Sequence, residues 1–305
     1  MNERKKSYLQ YKYKNIEWDD EEFIRKNHII NVFKKAEMYE NSIQKDLSEW
    51  SLAEITDFYK SLCTPSVDVL YNCNSVYQRY TAWCIYEKMI TNMNHYDEIT
   101  REFLLQCIHK AIAKERIISR EELLNTISKL KNPRDSFIVL ACFEGISGQE
   151  MKELRNINLA DFDTERKIVK LGEREIPYTD ELYRYAREAA EQTYYNPSED
   201  ASRTYRLVGE PGQIVKKALS KEKADTMNTT SSAMVIYRIL KDIQKETNSP
   251  AFVAKALKES GRIHMIKGLM KEGRNIKEAI KATCERYGKL VSIPSYIDKY
   301  NDFLK

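Results

Sequence analysis

Apolar side chains recur every three or four residues through most of this chain, the spacing that places them on one face of an α-helix. In the first 45 residues, Phe23, Ile30, Phe33 and Met38 follow this period. Acidic residues precede them and lysines follow them, which is the order that the helix dipole favours. The pattern predicts a charged helical arm.

Start signals divide the next stretch into further helices. Ser51 precedes Glu54, and Ser119 precedes Glu122, at the spacing of a capping box. These signals predict that residues 1–130 form an N-terminal helical arm and a small helical domain. A second domain, residues 131–305, is predicted to begin where Pro133 opens a new apolar run.

The period changes in residues 167–179, KIVKLGEREIPYT, where apolar and polar residues alternate about a glycine turn and so predict a β-hairpin. One more strand is predicted at Tyr205–Val208. Helices follow, with a start predicted at Ser249-Pro250 and the last one starting at Pro294. The predicted fold class is mainly α, with a small β-hairpin or sheet in the C-terminal domain.

Composition narrows the class of protein. No apolar run approaches the roughly 18 residues of a membrane-spanning helix, and the charged N-terminus lacks the apolar core of a secretory signal. The six cysteines are far apart and form no C-x-x-C pair, which favours reduced thiols over a metal site or disulfides. We expect a cytoplasmic protein with no cofactor, no metal and no membrane partner.

Positive charge is concentrated near the C-terminus. Between residues 251 and 289, ten Lys and Arg stand against four Glu, although the net charge of the whole chain is only +4. Clustered positive charge on helices is typical of a surface that contacts phosphates, and a solvated helix face is the alternative explanation.

Several segments, taken in order, resemble the tyrosine recombinase (phage integrase) family over roughly residues 47–300. The stretch from Phe137, FIVLACFEGISGQEMKELRNINLADFD, is similar to the family segment T-G-L-R-x-S-E-L-x-x-L-x-W-x-D-[IV]-D. REIPYTDEL is similar to the end of the family's hairpin, and SGRIHMIKGLMKEG to its H-x-L-R-H-T-F-A-x-x-L-x-x-x-G helix. EITDFYKSLCTPSVDVLYNCNSVYQRYTAWC resembles its core-binding domain. The resemblance implies a two-domain architecture that clamps duplex DNA.

In that family a tyrosine hydroxyl attacks a DNA phosphodiester, and two arginines bind the phosphate oxygens as charge builds in the transition state. The resemblance aligns Ser147 with the first arginine and Arg262 with the second. It aligns Glu259 with the histidine that precedes the second arginine, and Glu285 with the last His/Trp position. Most of the catalytic set is therefore replaced.

Two residues leave the assignment open. Tyr296 and Tyr300 lie four apart, on one helical face, and either could match the family's nucleophile. Lys170 is the nearest candidate for the lysine of the family's hairpin.

We therefore interpret the chain as a sequence-specific double-stranded DNA-binding protein that lacks most of the catalytic residues and is associated with the nucleoid. It is similar to the recombinase-like master repressors of SPβ-type Bacillus prophages, which implies transcriptional repression and control of lysogeny and lysis. The residues predicted to contact DNA are basic or histidine: Lys60, Arg79, Lys88, Arg155, Lys170, Lys255, Lys258, Arg262, His264, Lys267, Arg274 and Lys277. Self-association and small protein modulators are further candidate interactions.

Two other hypotheses stay open at this point. One is an active, divergent recombinase that uses Tyr296 or Tyr300, with its first arginine supplied by Arg155. The other is an all-α interaction protein with no DNA partner.

Overall fold

The computed structural model describes residues 2–13, 27–196, 204–219, 231–288 and 293–304. The chain divides into two compact units, Met1–Lys114 and Glu115–Lys305. The division lies earlier than the boundary predicted at residue 130, because Ile118, Leu123 and Ile127 pack in the core of the C-terminal unit.

The N-terminal unit is helical throughout its described residues. Its helices are α1 (Glu3–Tyr13), α2 (His28–Ile43), α3 (Leu52–Ser61), α4 (Val67–Tyr86), α5 (Arg101–Cys107) and α6 (Lys110–Glu115), with 3-10 turns at Leu47–Glu49 and His95–Glu98. The long helix α4 packs against α1, α2 and α5. Its aromatic residues Tyr77 and Tyr80 lie fully buried in the core of this unit.

Local signals explain where these helices begin. Asn27 caps α2 by accepting hydrogen bonds from two backbone N–H groups of its first turn. The capping box predicted at Ser51 and Glu54 is present at the start of α3. Ile30 and Phe33 are buried as the period predicts, whereas the prediction for Met38 is wrong, since its side chain is 83% exposed. Phe23 lies outside the described residues.

The C-terminal unit contains eight helices in the described ranges. They are α7 (Arg120–Ile127), α8 (Pro133–Glu144), α9 (Lys152–Asn156), α10 (Asp180–Glu191), α11 (Ala233–Thr247), α12 (Ala254–Lys271), α13 (Ile276–Arg286) and α14 (Ile293–Leu304). Helix α8 is buried from Arg134 to Glu144 and packs against α7, α10, α11 and α12. It is the central element of the unit.

Two small antiparallel sheets complete this unit. The first joins β1 (Phe162–Asp163), β2 (Ile168–Leu171) and β3 (Arg174–Pro177), so the predicted hairpin is confirmed. The second joins β4 (Tyr194–Tyr195), β5 (Tyr205–Val208) and β6 (Lys217–Leu219), and it includes the strand predicted at Tyr205.

Two predicted helix boundaries differ from the structure. Helix α12 begins at Ala254 rather than at Pro250, because residues 249–253 form a turn and an extended N-cap. The segment from Ser147 to Ile157, whose pattern predicts one amphipathic helix, holds instead a 3-10 turn and the short helix α9. Left-handed backbone at Glu150 and Met151 separates the two. None of the described helices is long and apolar enough to cross a membrane.

Candidate functional site

Ser147, at the position that the resemblance gives to the first arginine, lies in the turn that follows α8. Helix α8 ends at Gly145, whose φ of 95° is a left-handed conformation that glycine adopts without strain. Ser147 is 5% exposed, and its backbone N–H donates to Glu153 Oε2 at 3.0 Å. The turn is therefore held from inside the protein, by a carboxylate on α9.

The same carboxylate binds Arg174, at the start of β3. Arg174 Nε donates to Glu153 Oε1 at 2.7 Å, and Nη2 donates to Oε2 at 2.5 Å. The guanidinium also donates to the backbone carbonyls of Gly145, at 2.8 Å, and of Arg286. A bidentate pair with two further carbonyl acceptors fixes this arginine as a link between the hairpin, the Gly145 turn and α13.

A second buried ion pair lies beside the first. Glu144, 5% exposed, accepts from Thr179 and lies 3.3 Å from Arg286 Nη2 and 3.7 Å from Arg120 Nη2. Burial raises the pKa of Glu144, while the hydroxyl of Thr179 and the two guanidinium groups lower it. Arg286 Nε also donates to the backbone oxygen of Glu144, so the C-terminal end of α13 is tied to the end of α8.

Arg262, at the position of the family's second arginine, is surrounded by tyrosines. Its guanidinium lies 5.0 Å above the ring of Tyr287, whose hydroxyl donates to the backbone oxygen of Phe143. Its Nε is buried and has no hydrogen-bond partner among the described residues. Burial raises the pKa of Tyr296, and the nearby positive charge of Arg262 lowers it.

The two terminal tyrosines belong to a core. Tyr296 and Tyr300 are 3% and 2% exposed, and their rings meet edge to face at a centroid distance of 5.2 Å. They pack with apolar residues of α12 and α13, among them Ile266 and Ile280. The structure thus places Tyr296 beside Arg262, with both tyrosines buried.

The remaining residues of the recombinase alignment lie on four different elements. Glu259 is half-buried on α12, and Glu285 is exposed on α13. Lys170 is exposed on β2, opposite Glu175 in the register of the hairpin. Arg155 on α9 is half-buried, and its Nε has no hydrogen-bond partner within the described ranges.

Helix α12 separates the predicted DNA contacts into two groups. At 100° per residue, Lys255, Lys258 and Arg262 share one side, while His264 and Lys267 lie on the other side. The His264 ring lies 5.7 Å from that of Phe143, and burial, together with nearby Arg120 and Lys271, lowers its pKa. The α12 contacts therefore do not form one continuous surface.

The other predicted contacts are exposed side chains. Arg274 and Lys277 lie at the start of α13 in the C-terminal unit. Lys60, Arg79 and Lys88 lie on α3, on α4 and just after α4 in the N-terminal unit. Their contacts with DNA stay predictions.

A basic face on α11 was missed by the sequence analysis. Arg238, Lys241 and Lys245 are exposed and recur every three or four residues, and Met234 and Tyr237 continue the same face toward the helix start. We call these five residues the α11 basic stripe. Its spacing is visible in AMVIYRILKDIQKE, and it was overlooked because the net charge of this segment is small.

The acidic residues of α11, Asp242 and Glu246, are also exposed and flank one side of the stripe. Asp242 raises the pKa of Tyr195 on β4, and Glu246 raises that of Asp135 on α8. In the described residues no ion pair within 4.0 Å involves Arg238, Lys241 or Lys245. The stripe therefore offers three cations to an external ligand.

Two family models together span most of the sequence. The model "MrpR, C-terminal catalytic domain" matches residues 117–304, and "MrpR, N-terminal core-binding domain" matches residues 1–87. The chain belongs to the MrpR family. The two matches confirm the predicted resemblance to a recombinase-type protein. They also agree with the predicted fold class, which is mainly helical with two domains.

Individual relatives have low sequence identity to this chain. The SPbeta prophage-derived uncharacterized protein YopR of Bacillus subtilis (strain 168) is 23% identical over 264 residues, covering 82% of this chain and 79% of the relative. The Tn1549 transposon integrase, solved in complex with circular intermediate DNA, is 13% identical with a TM-score of 0.47, covering 96% of this chain and 93% of that one. XerA recombinase is 14% identical with a TM-score of 0.36, covering 99% and 98%.

Proposed function

We propose that this MrpR-family chain binds double-stranded DNA sequence-specifically and acts as a transcriptional repressor that controls lysogeny and lysis of a prophage, without cutting the DNA. The observation that carries the proposal is the α11 basic stripe. Its three exposed cations lie on one face of a helix whose opposite face, with Ile236, Leu240 and Ile243, is buried. Such a helix fits the major groove, where cations contact phosphates and flanking side chains reach base edges.

The absence of cleavage is supported by the chemistry around Ser147. A hydroxyl can hydrogen-bond a phosphate, but it cannot supply the charge and the paired donors of a guanidinium in the transition state. The arginine that binds the turn, Arg174, is neutralised by Glu153. Both candidate nucleophiles are buried.

The test combines binding and cleavage assays. Fragments of the genome that encodes the chain are screened by gel shift and by genome-wide mapping of bound DNA, and the bound sites are then prepared as nicked suicide substrates. We expect site-specific shifts, no covalent protein–DNA adduct, and repression of a reporter that carries a bound site. Failure to bind any fragment at low salt contradicts DNA binding.

The second candidate is an active, divergent recombinase, and it is favoured by the contact between Arg262 and the tyrosine cluster. In this alternative Tyr296 is the nucleophile and Arg155 supplies the missing first arginine. Recombination of a paired-site plasmid that is abolished by Tyr296→Phe and by Arg155→Ala would establish it. An adduct on Tyr296 or Tyr300 would rule out the non-cutting repressor.

A further inference from the structure

Among the described residues, a groove in the N-terminal unit is lined only by aromatic and cationic side chains. Helix α1 contributes Tyr8, Tyr11 and Lys12, and helix α4 contributes Arg79, Trp83 and Tyr86. We call it the aromatic–cationic groove. Its volume of about 320 Å³ is at the lower end of the range for small-ligand sites.

The aromatic residues of the groove leave ring surface available. The Trp83 ring centroid lies 5.4 Å from that of Tyr8 and 6.0 Å from that of Tyr11. Tyr11 is 64% exposed and Tyr86 is 78% exposed. Neighbouring exposed rings of this size are typical of a binding surface, because planar ligands can stack on them.

Trp83, which lines the groove, carries an unpaired donor. The side chain is 8% exposed, and its indole Nε1 is buried with no acceptor among the described residues. Buried donors are nearly always paired in folded proteins, so this one points to an acceptor that the described chain does not supply.

The two cations of the groove are also available to a ligand. Arg79 is oriented by Ser75, since Nε donates to its backbone oxygen at 2.8 Å and Nη2 donates to its hydroxyl at 3.0 Å. Burial and the neighbouring Arg79 lower the pKa of Lys12. Within the described ranges no carboxylate lies within 4.0 Å of either cation, which favours the binding of an anion.

We propose that the aromatic–cationic groove binds an unpaired nucleotide of single-stranded DNA, with the base stacked on Tyr11, Trp83 and Tyr86 and the phosphate held by Lys12 and Arg79. Sequence-tolerant binding of single strands uses this combination of aromatic rings and cations. The volume fits one base more closely than a helix of a partner protein, which is about 10 Å across. The exposure of Tyr11 and Tyr86 leaves one side open, as a continuing strand requires.

The test measures fluorescence anisotropy of a labelled oligodeoxythymidylate with the full chain. We expect Tyr86→Ala to weaken binding by about tenfold, because it removes a ring on which the base stacks. Arg79→Gln should also weaken binding and lower its salt dependence, because it removes a phosphate contact. The matched controls are Tyr71→Ala and Lys34→Gln, and both variants should bind the oligonucleotide normally. The first removes a tyrosine of α4 that is 54% exposed and outside the groove, and the second removes an exposed lysine of α2. An oligonucleotide that carries 5-iododeoxyuridine should crosslink to Tyr11, Trp83 or Tyr86.

Several outcomes separate this proposal from the proposed function. Tyr86→Ala should weaken single-strand binding by a larger factor than duplex binding, since the paired bases of a duplex are not free to stack on Tyr86. Duplex binding without groove-dependent single-strand binding overturns only the groove proposal. The groove proposal is also overturned if Tyr86→Ala weakens single-strand and duplex binding equally. Two further results contradict it: binding of free thymidine monophosphate alone, and binding of an acidic aromatic peptide in place of the oligonucleotide.

Discussion

Glu153 is the side chain that fixes the turn containing Ser147. It accepts from the backbone N–H of Ser147 and forms two short hydrogen bonds with Arg174, so a single carboxylate joins three segments. Arg174 then binds the carbonyl at the end of α8. The turn that aligns with the family's first arginine is thereby stabilised without any phosphate.

Glu153→Ala should destabilise the C-terminal unit by about 2 kcal/mol, because it leaves a partly buried guanidinium without its charged acceptor. Urea unfolding followed by circular dichroism measures the change. Glu175→Ala is the matched control. It removes the partner of Arg166 in a pair that is 61% and 44% exposed, and such surface pairs contribute about 0–1 kcal/mol. Equal losses in both variants contradict the structural role of Glu153.

At the scale of elements, the close approach of α12 to α8 depends on a glycine. A Cβ atom at Gly261 would overlap the backbone oxygen of Phe143 and the hydroxyl of Tyr287. That oxygen and that hydroxyl are themselves hydrogen-bonded to each other. Gly268, seven residues further along the same helix, has no neighbouring atom within 4 Å of the position that a Cβ atom would take.

Gly261→Ala should therefore destabilise the C-terminal unit by several kcal/mol, because either α12 or α8 must move, whereas Gly268→Ala should stabilise it by roughly 0.5–1 kcal/mol through helix propensity. The two variants make the same chemical change in one helix, so propensity alone predicts the same sign for both. Thermal unfolding distinguishes them. A stable, folded Gly261→Ala protein contradicts the observed packing.

The α11 basic stripe makes a prediction about salt dependence. Replacing Arg238, Lys241 and Lys245 with Gln should weaken duplex binding and reduce the slope of log K against log salt by up to about 3, since each lost phosphate contact removes about 0.9. The control is the pair Arg184→Gln and Arg187→Gln on α10, whose cations already face Glu188 and Glu191. If the control lowers the slope as much as the stripe variant, the stripe is not the DNA-contacting surface.

At the scale of the whole molecule, each unit has its own hydrophobic core. One core gathers residues from Tyr8 to Cys107, and the others gather residues from Ile118 onward. All three tryptophans of the chain, Trp18, Trp50 and Trp83, precede residue 115. Tryptophan fluorescence therefore reports the N-terminal unit, while circular dichroism reports the helices of both.

Gly261→Ala should lower the unfolding midpoint seen by circular dichroism and leave the midpoint seen by tryptophan fluorescence nearly unchanged. The reason is that the substitution acts on the core of the C-terminal unit, which contains no tryptophan. Parallel denaturation curves of the wild type and the variant measure both midpoints. If the two midpoints fall together, the units unfold as one cooperative body, contrary to this expectation.

Local signals along the chain predict the helices with capping boxes, the hairpin about Gly172 and the family resemblance. Each of these signals depends on residues within a few positions of one another, where periodicity, caps and turn residues act. Only the tertiary structure revealed that Arg174 binds Glu153, 21 residues away, and that Arg286 binds Glu144, 142 residues away. The tertiary structure also shows that the cations of α12 lie on two sides of the helix and that α1 and α4 together line the aromatic–cationic groove. Such contacts depend on how helices pack, and no local pattern in one sequence records which distant charge a side chain will meet.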